Sequence, residues 1–472
     1  MSRTSFERSR ASRERHDGRD ASFRSTFTAT VVILSVLCLV FLAIGFFQGP
    51  KLSEAQVDPA LAIAQSGQQL RLFANQQVAA VEPDDVTITP AVPFTVTTSG
   101  DLIAVQFESR LHYDTEYTVS VGGVTSASGG TAATLEYTFS TGSQPILVLA
   151  RGIDDAQDEI VSVPISGGDR TVLYSAPDIQ SFVSLGQSVV VVTAMDDGTS
   201  EIALVSLVDG TAERLTLPEP GTIGDLERLP ATSIVGFTFT SVGTETARAF
   251  DDTLFTIDLE SSRALEPVVG LDGAPLAVLA WRPMPQGATL IAQLRDQSVF
   301  LTTPGDAAAT LPLGSYTSLG RISSDGTRMS VSDPFGAVIV TLDDLSEERV
   351  APSPVDGEVA YSGELRVLND GTRVQQVAIL DIETGRFSTM LVHDDGGASR
   401  VLLRTIDDEG SIEGFTVSPN DQYVAVEVLP RVAEAVSDGT PVEPRPTSMT
   451  TVVVEIATGA VVTTVNGFSP RW

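Results

Sequence analysis

The hydrophobic and polar positions of this chain change rhythm twice. Thr28–Phe47 reads TATVVILSVLCLVFLAIGFF, with only Thr28, Thr30 and Ser35 polar and no charge between Arg24 and Lys51. Twenty helical residues at 1.5 Å rise match a hydrocarbon core of about 30 Å. The three hydroxyls can bond back to helix carbonyls. The run therefore predicts a transmembrane helix over 28–47. A cleaved signal would be shorter and end on small residues, whereas this run ends in Phe46-Phe47 with no A-x-A before Gln48.

After a linker over 48–56 the rhythm becomes one of alternation. Apolar positions recur every second residue in Leu70–Phe73, Val86–Thr89, Phe94–Thr97, Leu102–Phe107, Tyr117–Val121 and Leu135–Phe139. Turn-forming groups separate these runs: Glu82-Pro83-Asp84-Asp85, Ser99-Gly100-Asp101, Gly122-Gly123 and Ser128-Gly129-Gly130. Short alternating strands at this spacing predict an antiparallel β-sandwich over 57–142.

From 145 to 472 a strand–turn–strand unit repeats. It starts at Glu159, Glu201, Thr253, Ser298, Ala337, Gln376 and Thr451, at a mean spacing of about 49 residues. Four-stranded propeller blades take about 40–50 residues. The count predicts seven blades, with six or eight compatible with irregular first and third units. A polar, Pro-rich insertion from Val432 to Thr450 is expected as an exposed loop of the last blade. The C-terminal strand is expected to join the first blade near Ile146–Ala150 and fasten the ring. The fold class read from the sequence is all-β, preceded by one membrane helix.

Two stretches resemble known families. The order TITP, then Gly100-Asp101-Leu102, Val105-Gln106-Phe107 and the Leu111–Val121 strand resembles the SbsA-type bacterial Ig-like domain of surface-layer and other secreted proteins. Leu111, Thr115, Tyr117 and Val119 stand at that family's L-x-x-x-T-x-Y-x-V positions. This resemblance implies a spacer with no active site. Arg321–Gly326, Phe415–Asp421, Trp281–Pro285 and Gly467–Trp472 resemble the P-x-W-S-P-D-G blade junction of TolB-like and WD40-like (YVTN-like) propellers. No G-H…W-D signature of a true WD40 repeat occurs.

Composition narrows the chemistry. Lys+Arg number 29 against 61 Asp+Glu, a net charge of −32 with three His and one Cys. Such acidity repels phosphate backbones, so nucleic acid is not an expected partner. One cysteine excludes a disulfide framework and a Cys-rich zinc site. The charge is unevenly divided. Seven arginines and four acids before residue 28 give the tail +3, and the remainder carries −35. By the positive-inside rule the tail, 1–27, lies in the cytoplasm and everything past the helix outside the plasma membrane.

No G-x-S-x-G, H-E-x-x-H, Walker A or G-x-G-x-x-G occurs, so neither a catalytic residue nor a cofactor is expected. Acidic groups recur at Asp154-Asp155 with Asp158-Glu159, Asp196-Asp197, Asp251-Asp252, Asp343-Asp344 and Asp407-Asp408-Glu409. Carboxylates on loops can hold calcium, and Asp154, Asp155 and Asp158 are the candidate ligands. Solvated turns are the alternative. His393 before Asp394-Asp395-Gly396-Gly397, and His112 in its loop, read as turn residues.

The sequence thus points to an anchored, extracytoplasmic binding or scaffold protein, with other envelope proteins or peptides as partners. The alternatives are a propeller-based carbohydrate-active enzyme and an envelope sensor of TolB type.

Overall fold

The computed structural model describes residues 25–38, 40, 49–152, 156–230, 232–243, 249–382, 385–405, 409–440 and 442–472. Residues 25–38 and 40 are helical. No described helix is long and apolar enough to cross a membrane; residues 39 and 41–47 of the expected span lie outside the described residues. The rest divides into two compact units, residues 49–111 with 115–141, and 112–114 with 142–472.

The first unit is a two-sheet sandwich. One sheet has the order Leu52–Gln56, Gln69–Ala74, Leu102–Phe107, Phe94–Ser99, and the other Val86–Thr89, Glu116–Val124, Ala133–Ser140. All pairings are antiparallel. Alternation sets the inner face: Leu70 and Leu72 are fully buried while Arg71 between them is exposed. Phe107 of one sheet and Phe139 of the other meet at 6.2 Å between ring centroids. The expected linker is corrected here. Leu52–Gln56 form the edge strand of the larger sheet, because its unpaired backbone groups are satisfied by a ladder with Arg71–Ala74.

The second unit contains, among the described residues, seven four-stranded antiparallel sheets. Six are built from consecutive strands. The first mixes the two ends of the unit, in the order Thr171–Ala176, Asp158–Pro164, Pro145–Ala150, Phe468–Arg471. Phe468 pairs with Leu149 and Arg471 with Leu147, so the last strand closes the ring as the sequence led us to expect. Gly467 turns into that strand at φ 140°, and a Cβ there would lie 2.8 Å from the Leu149 carbonyl oxygen. Ring closure defines a β-propeller of seven blades.

The inner strands are Phe468–Arg471, Ile179–Ser184, Gly221–Arg228, Val278–Pro283, Ser318–Ile322, Ala360–Val367 and Ser411–Val417. The second strands read as apolar runs because a neighbouring blade covers each face. Val189–Val192 are all buried, as are Leu290, Ile291 and Ala292. The fourth strands are polar and exposed, as in Glu347–Val350. Apolar clusters fill every gap between blades: Phe182, Leu149 and Leu429 join blades two, one and seven. Phe237 and Val190 join three and two, and Trp281 and Leu254 join four and three. The series continues through Leu319, Val367 and Phe415.

A polar tie accompanies each gap. Asp158 accepts the Ile179 N–H at 2.9 Å, and Gln180 donates to the Ile223 carbonyl at 2.6 Å. Trp281 Nε1 donates to the Asp225 carbonyl at 3.1 Å, and Gln293 Nε2 to that of Tyr316 at 2.6 Å. Ser330 donates to Leu365, Gln376 to Ile412 and Thr451 to Gly467. Each tie satisfies backbone at a blade edge that no ladder reaches.

Two expectations about the repeat are corrected. Six of the seven units read from the sequence are the third and fourth strands of a blade, but the one from Gln376 is the second and third, Arg373–Asp381 and Arg386–Asp394. That one-strand slip shortens the gap before it and lengthens the one after it, which the insertion 432–450 lengthens further. The insertion 432–450 is not wholly an exposed loop. Met449 is buried, and the Asp438 side chain is 3% exposed in an ion pair with Arg151 at 2.7 Å.

Candidate functional site

The inner strands surround an axial cavity of ≈ 330 Å³. Residues of six inner strands line it, among them Gln180, Asp225, Arg321, Glu364, Glu413 and Arg471. Glu443 and Arg445 reach it from the insertion. The lining is strongly charged. It holds six carboxylates, Asp225, Glu227, Glu364, Glu413, Glu427 and Glu443, against the guanidiniums of Arg321, Arg445 and Arg471.

Local structure brings two of these acids onto one strand segment. The pairing of Gly221–Arg228 with Ile234–Ser241 shifts register between Gly224 and Glu227. Asp225 sits in that bulge at φ 45°, a left-handed conformation that Asp tolerates better than most side chains. The bulge turns Asp225 and Glu227, two residues apart, onto one cavity.

Their surroundings push them apart. Burial raises the Asp225 carboxyl above the ordinary range, opposed by Arg282 and aided by Glu227. Burial acts on Glu227 as well, but Arg471 and Arg321 outweigh it and hold that carboxyl below its usual value. Arg471 Nη1 pairs with Glu227 at 2.8 Å and Nη2 donates to the Leu226 carbonyl at 3.2 Å. Arg321 pairs with Glu364 at 3.3 Å, and Glu427 accepts the Ser469 N–H at 2.7 Å. Arg282 stands behind the lining, donating to the carbonyls of Gly320 and Trp281; burial lowers its guanidinium. Burial also raises the Glu443 carboxyl, with Arg445 opposing.

Of the predicted calcium ligands, Asp154 and Asp155 lie outside the described residues. Asp158 is buried and already occupied. It pairs with Arg151 at 2.6 Å and accepts the N–H groups of Gly152 and Ile179 at 2.9 Å each. Among the described residues, no group of three or more His, Cys, Asp or Glu is placed to hold a metal ion.

The other acidic groups are hairpin chemistry. Asp197 Oδ1 accepts from the Thr199 N–H and hydroxyl at 3.0 and 2.6 Å, and Asp344 does the same to Ser346 at 3.0 and 2.7 Å. Asp209–Thr211, Asp296–Ser298, Asp325–Thr327 and Asp370–Thr372 repeat it. The legible signal was D-x-[S/T] between two strands, an Asx turn. Asp251 and Asp252 pair with Arg295. His393 bonds Thr372 at 3.0 Å, and burial lowers its imidazole. Asp407 and Asp408 lie outside the described residues.

Sequence reasoning missed the axial residues. Asp225, Glu227, Glu364 and Glu413 form no motif in the chain, and only ring closure gathers them.

No family model matches this sequence, and no curated relative does. Solved structures do. TolB from Acinetobacter baumannii is 12% identical with a TM-score of 0.36, covering 82% of each chain. A putative 6-phosphogluconolactonase from Bacteroides fragilis is 16% identical, with a TM-score of 0.41, covering 70% of this chain and 96% of that one. The periplasmic gluconolactonase PpgL of Pseudomonas aeruginosa is 14% identical, with a TM-score of 0.37, covering 70% and 98%. The chain is therefore described by its own geometry: a β-sandwich unit, and a closed seven-bladed propeller with a charged axial cavity.

Proposed function

We propose that the protein is a membrane-anchored extracytoplasmic binding or scaffold module, in which the sandwich is an SbsA-type Ig-like spacer and the propeller offers its axial face to envelope proteins or peptides. The carrying observation is the convergence of charged side chains from five inner strands on one cavity. A ring of separate strands can present such groups without any of them needing the orientation of a reacting pair. The apolar run 28–47 and its arginine-rich flank support the anchor and its orientation, with residues 1–27 cytoplasmic.

A second reading has one observation in its favour. Asp225 and Glu227 face one cavity with their acidities displaced in opposite directions, the arrangement of a glycosidase acid and its partner carboxylate. Against it stands the lining's aromatic content. Phe415 and Phe468 are its only rings among the described residues, and both are buried, leaving no face for a sugar to stack on.

The test is affinity capture from envelope extract with the full chain in non-ionic detergent, run beside a glycan library. Saturable capture of an envelope protein supports the binding reading. Glycan turnover that Asp225→Asn and Glu227→Gln abolish would replace it.

A further inference from the structure

Blade six overreaches its neighbours. Its second and third strands, Arg373–Asp381 and Arg386–Asp394, have nine residues each. The matching strands of blade seven, Tyr423–Leu429 and Thr450–Glu455, have seven and six, and those of blade five have six each. The register between the two long strands is unbroken. One face therefore carries Val374, Ala378 and Leu380 of the second strand with Leu391 and Phe387 of the third. Val374 and Leu391 are buried against Ile412 and Val424 of blade seven. Farther along that face the cover ends: Leu380 is half-buried, and Phe387 opposite it is 60% exposed. Tyr361, opposite Ala378 on the inner strand, is 53% exposed and meets Phe387 edge-on at 6.1 Å between ring centroids. Val359 and Ile382, on the segments that lead into and out of these strands, are 73% and 88% exposed. Apolar groups gathered in water in this way mark a contact surface.

The same stretch has an open backbone edge. The outer strand, Ser399–Arg404, pairs with the third only from Met390 to Asp394. Residues 386–389 are bonded to the second strand on one side and, among the described residues, to no strand on the other. No other blade leaves more than two residues of its third strand outside the ladder at this end, as blade two does at Ser200 and Glu201. An open edge offers N–H and C=O groups at alternate residues to a chain laid beside it. Strand addition uses such an edge for affinity and adjacent side chains for selectivity.

Charge narrows the occupant. The segments that build the patch, 356–361 and 379–387, hold Asp356, Glu358, Asp381 and Glu383 against Arg386. Arg404 flanks the patch but is paired with Asp356 at 3.2 Å. A second copy of this chain is a poor occupant, since each copy carries −32 and like charges repel.

We propose that the outer edge of blade six at residues 386–389 binds an extended, basic peptide segment of a partner protein. The segment adds a strand beside Phe387 and lays alternate apolar side chains against Phe387 and Tyr361. Neither ring lines the axial cavity, so this site stands whatever the cavity binds.

Titration of the full chain in non-ionic detergent with a fluorescent peptide alternating lysine and valine tests this. The controls are a peptide of the same composition in block order and one with glutamate in place of lysine. The alternating basic peptide is expected to bind saturably and about tenfold or more tighter than either control. Amide hydrogen exchange at residues 386–389 should slow on binding, because the added strand bonds their free edge. Phe387→Ser and Tyr361→Ser, both at exposed positions, should each weaken binding about fivefold or more. Either variant serves if the other fails to fold.

Absence of saturable binding, equal binding of either control, unchanged exchange at 386–389 or full affinity in both variants would overturn the proposal. So would self-association that Phe387→Ser abolishes, because the occupant would then be a second copy of the chain.

Discussion

Arg471, one residue from the end of the sequence, reaches past the second blade and pairs with Glu227 of the third at 2.8 Å. The pair joins the strand that closes the ring to a strand two blades away. Both side chains are about a quarter exposed, so solvent screening reduces the pair's worth below that of a fully buried one.

Arg471→Ala is expected to destabilise the propeller by about 1–3 kcal/mol, because Glu227 is left facing burial with only the more distant charges of Arg321 and Arg282 to oppose it. The Glu227 carboxyl is depressed in the folded state, so its contribution is present above the unfolded glutamate value and lost as pH falls through the folded one. Urea unfolding of wild type and Arg471→Ala should therefore differ at pH 7 and converge under acid. A constant difference across that range would mean the pair does not govern closure.

Asp394 is fully buried and saturated with donors. It accepts from the Ser353 N–H and hydroxyl at 2.9 and 2.7 Å and the Gly396 N–H at 2.8 Å, and pairs with Arg373 at 2.9 Å. Burial raises its carboxyl, but these partners prevail and hold it below the ordinary range. Its stabilisation is thus present above the unfolded aspartate value and lost toward lower pH. Asp394→Ala strands Arg373, itself 8% exposed, and is expected to cost about 3–5 kcal/mol, measurable as a fall in denaturation midpoint at neutral pH.

Gly236 underlies Trp281. A Cβ at 236 would lie 2.7 Å from Cη2 of that indole, which is fully buried between blades three and four. Gly236→Ala should cost about 1–3 kcal/mol through overpacking. In a double-mutant cycle, Trp281→Phe should relieve part of it. Additive losses would show that the clash is absorbed elsewhere.

Asp158 stabilises the first blade through Arg151 and two N–H groups. Asp158→Asn should lower the melting temperature equally with and without millimolar calcium. A loss confined to calcium-containing buffer would instead restore this loop as a metal site.

An alkaline-phosphatase fusion after Trp472 should be active outside the plasma membrane, as the arginine-rich flank predicts. An inactive fusion with intact protein would refute export and, with it, an extracytoplasmic partner.

Much of this molecule is written locally. The strands of the sandwich lie within a few residues of the alternating runs, since a strand half-buried in a sheet must alternate. Closure by Phe468–Arg471 was legible from the repeat, because a ring of blades has one seam. The slip at Gln376 arose because a second and a third strand of a blade are both apolar, and periodicity cannot tell them apart. The acidic turns were visible as pairs of Asp, yet their role came from the following Ser or Thr, whose hydroxyl completes the turn.

Sequence by itself determined what depends on neighbours along the chain: the apolar run, the strand rhythm, the blade spacing and the asymmetry of charge. Tertiary structure alone decided the axial cavity, the docking of Asp438 on Arg151 and the pairing of Arg471 with Glu227. Those groups are separated by up to 287 residues. A radial fold brings one short strand per blade to a common axis, so its site is composed of single residues from distant repeats. No local pattern marks such residues, because the geometry that gathers them is a property of the closed ring.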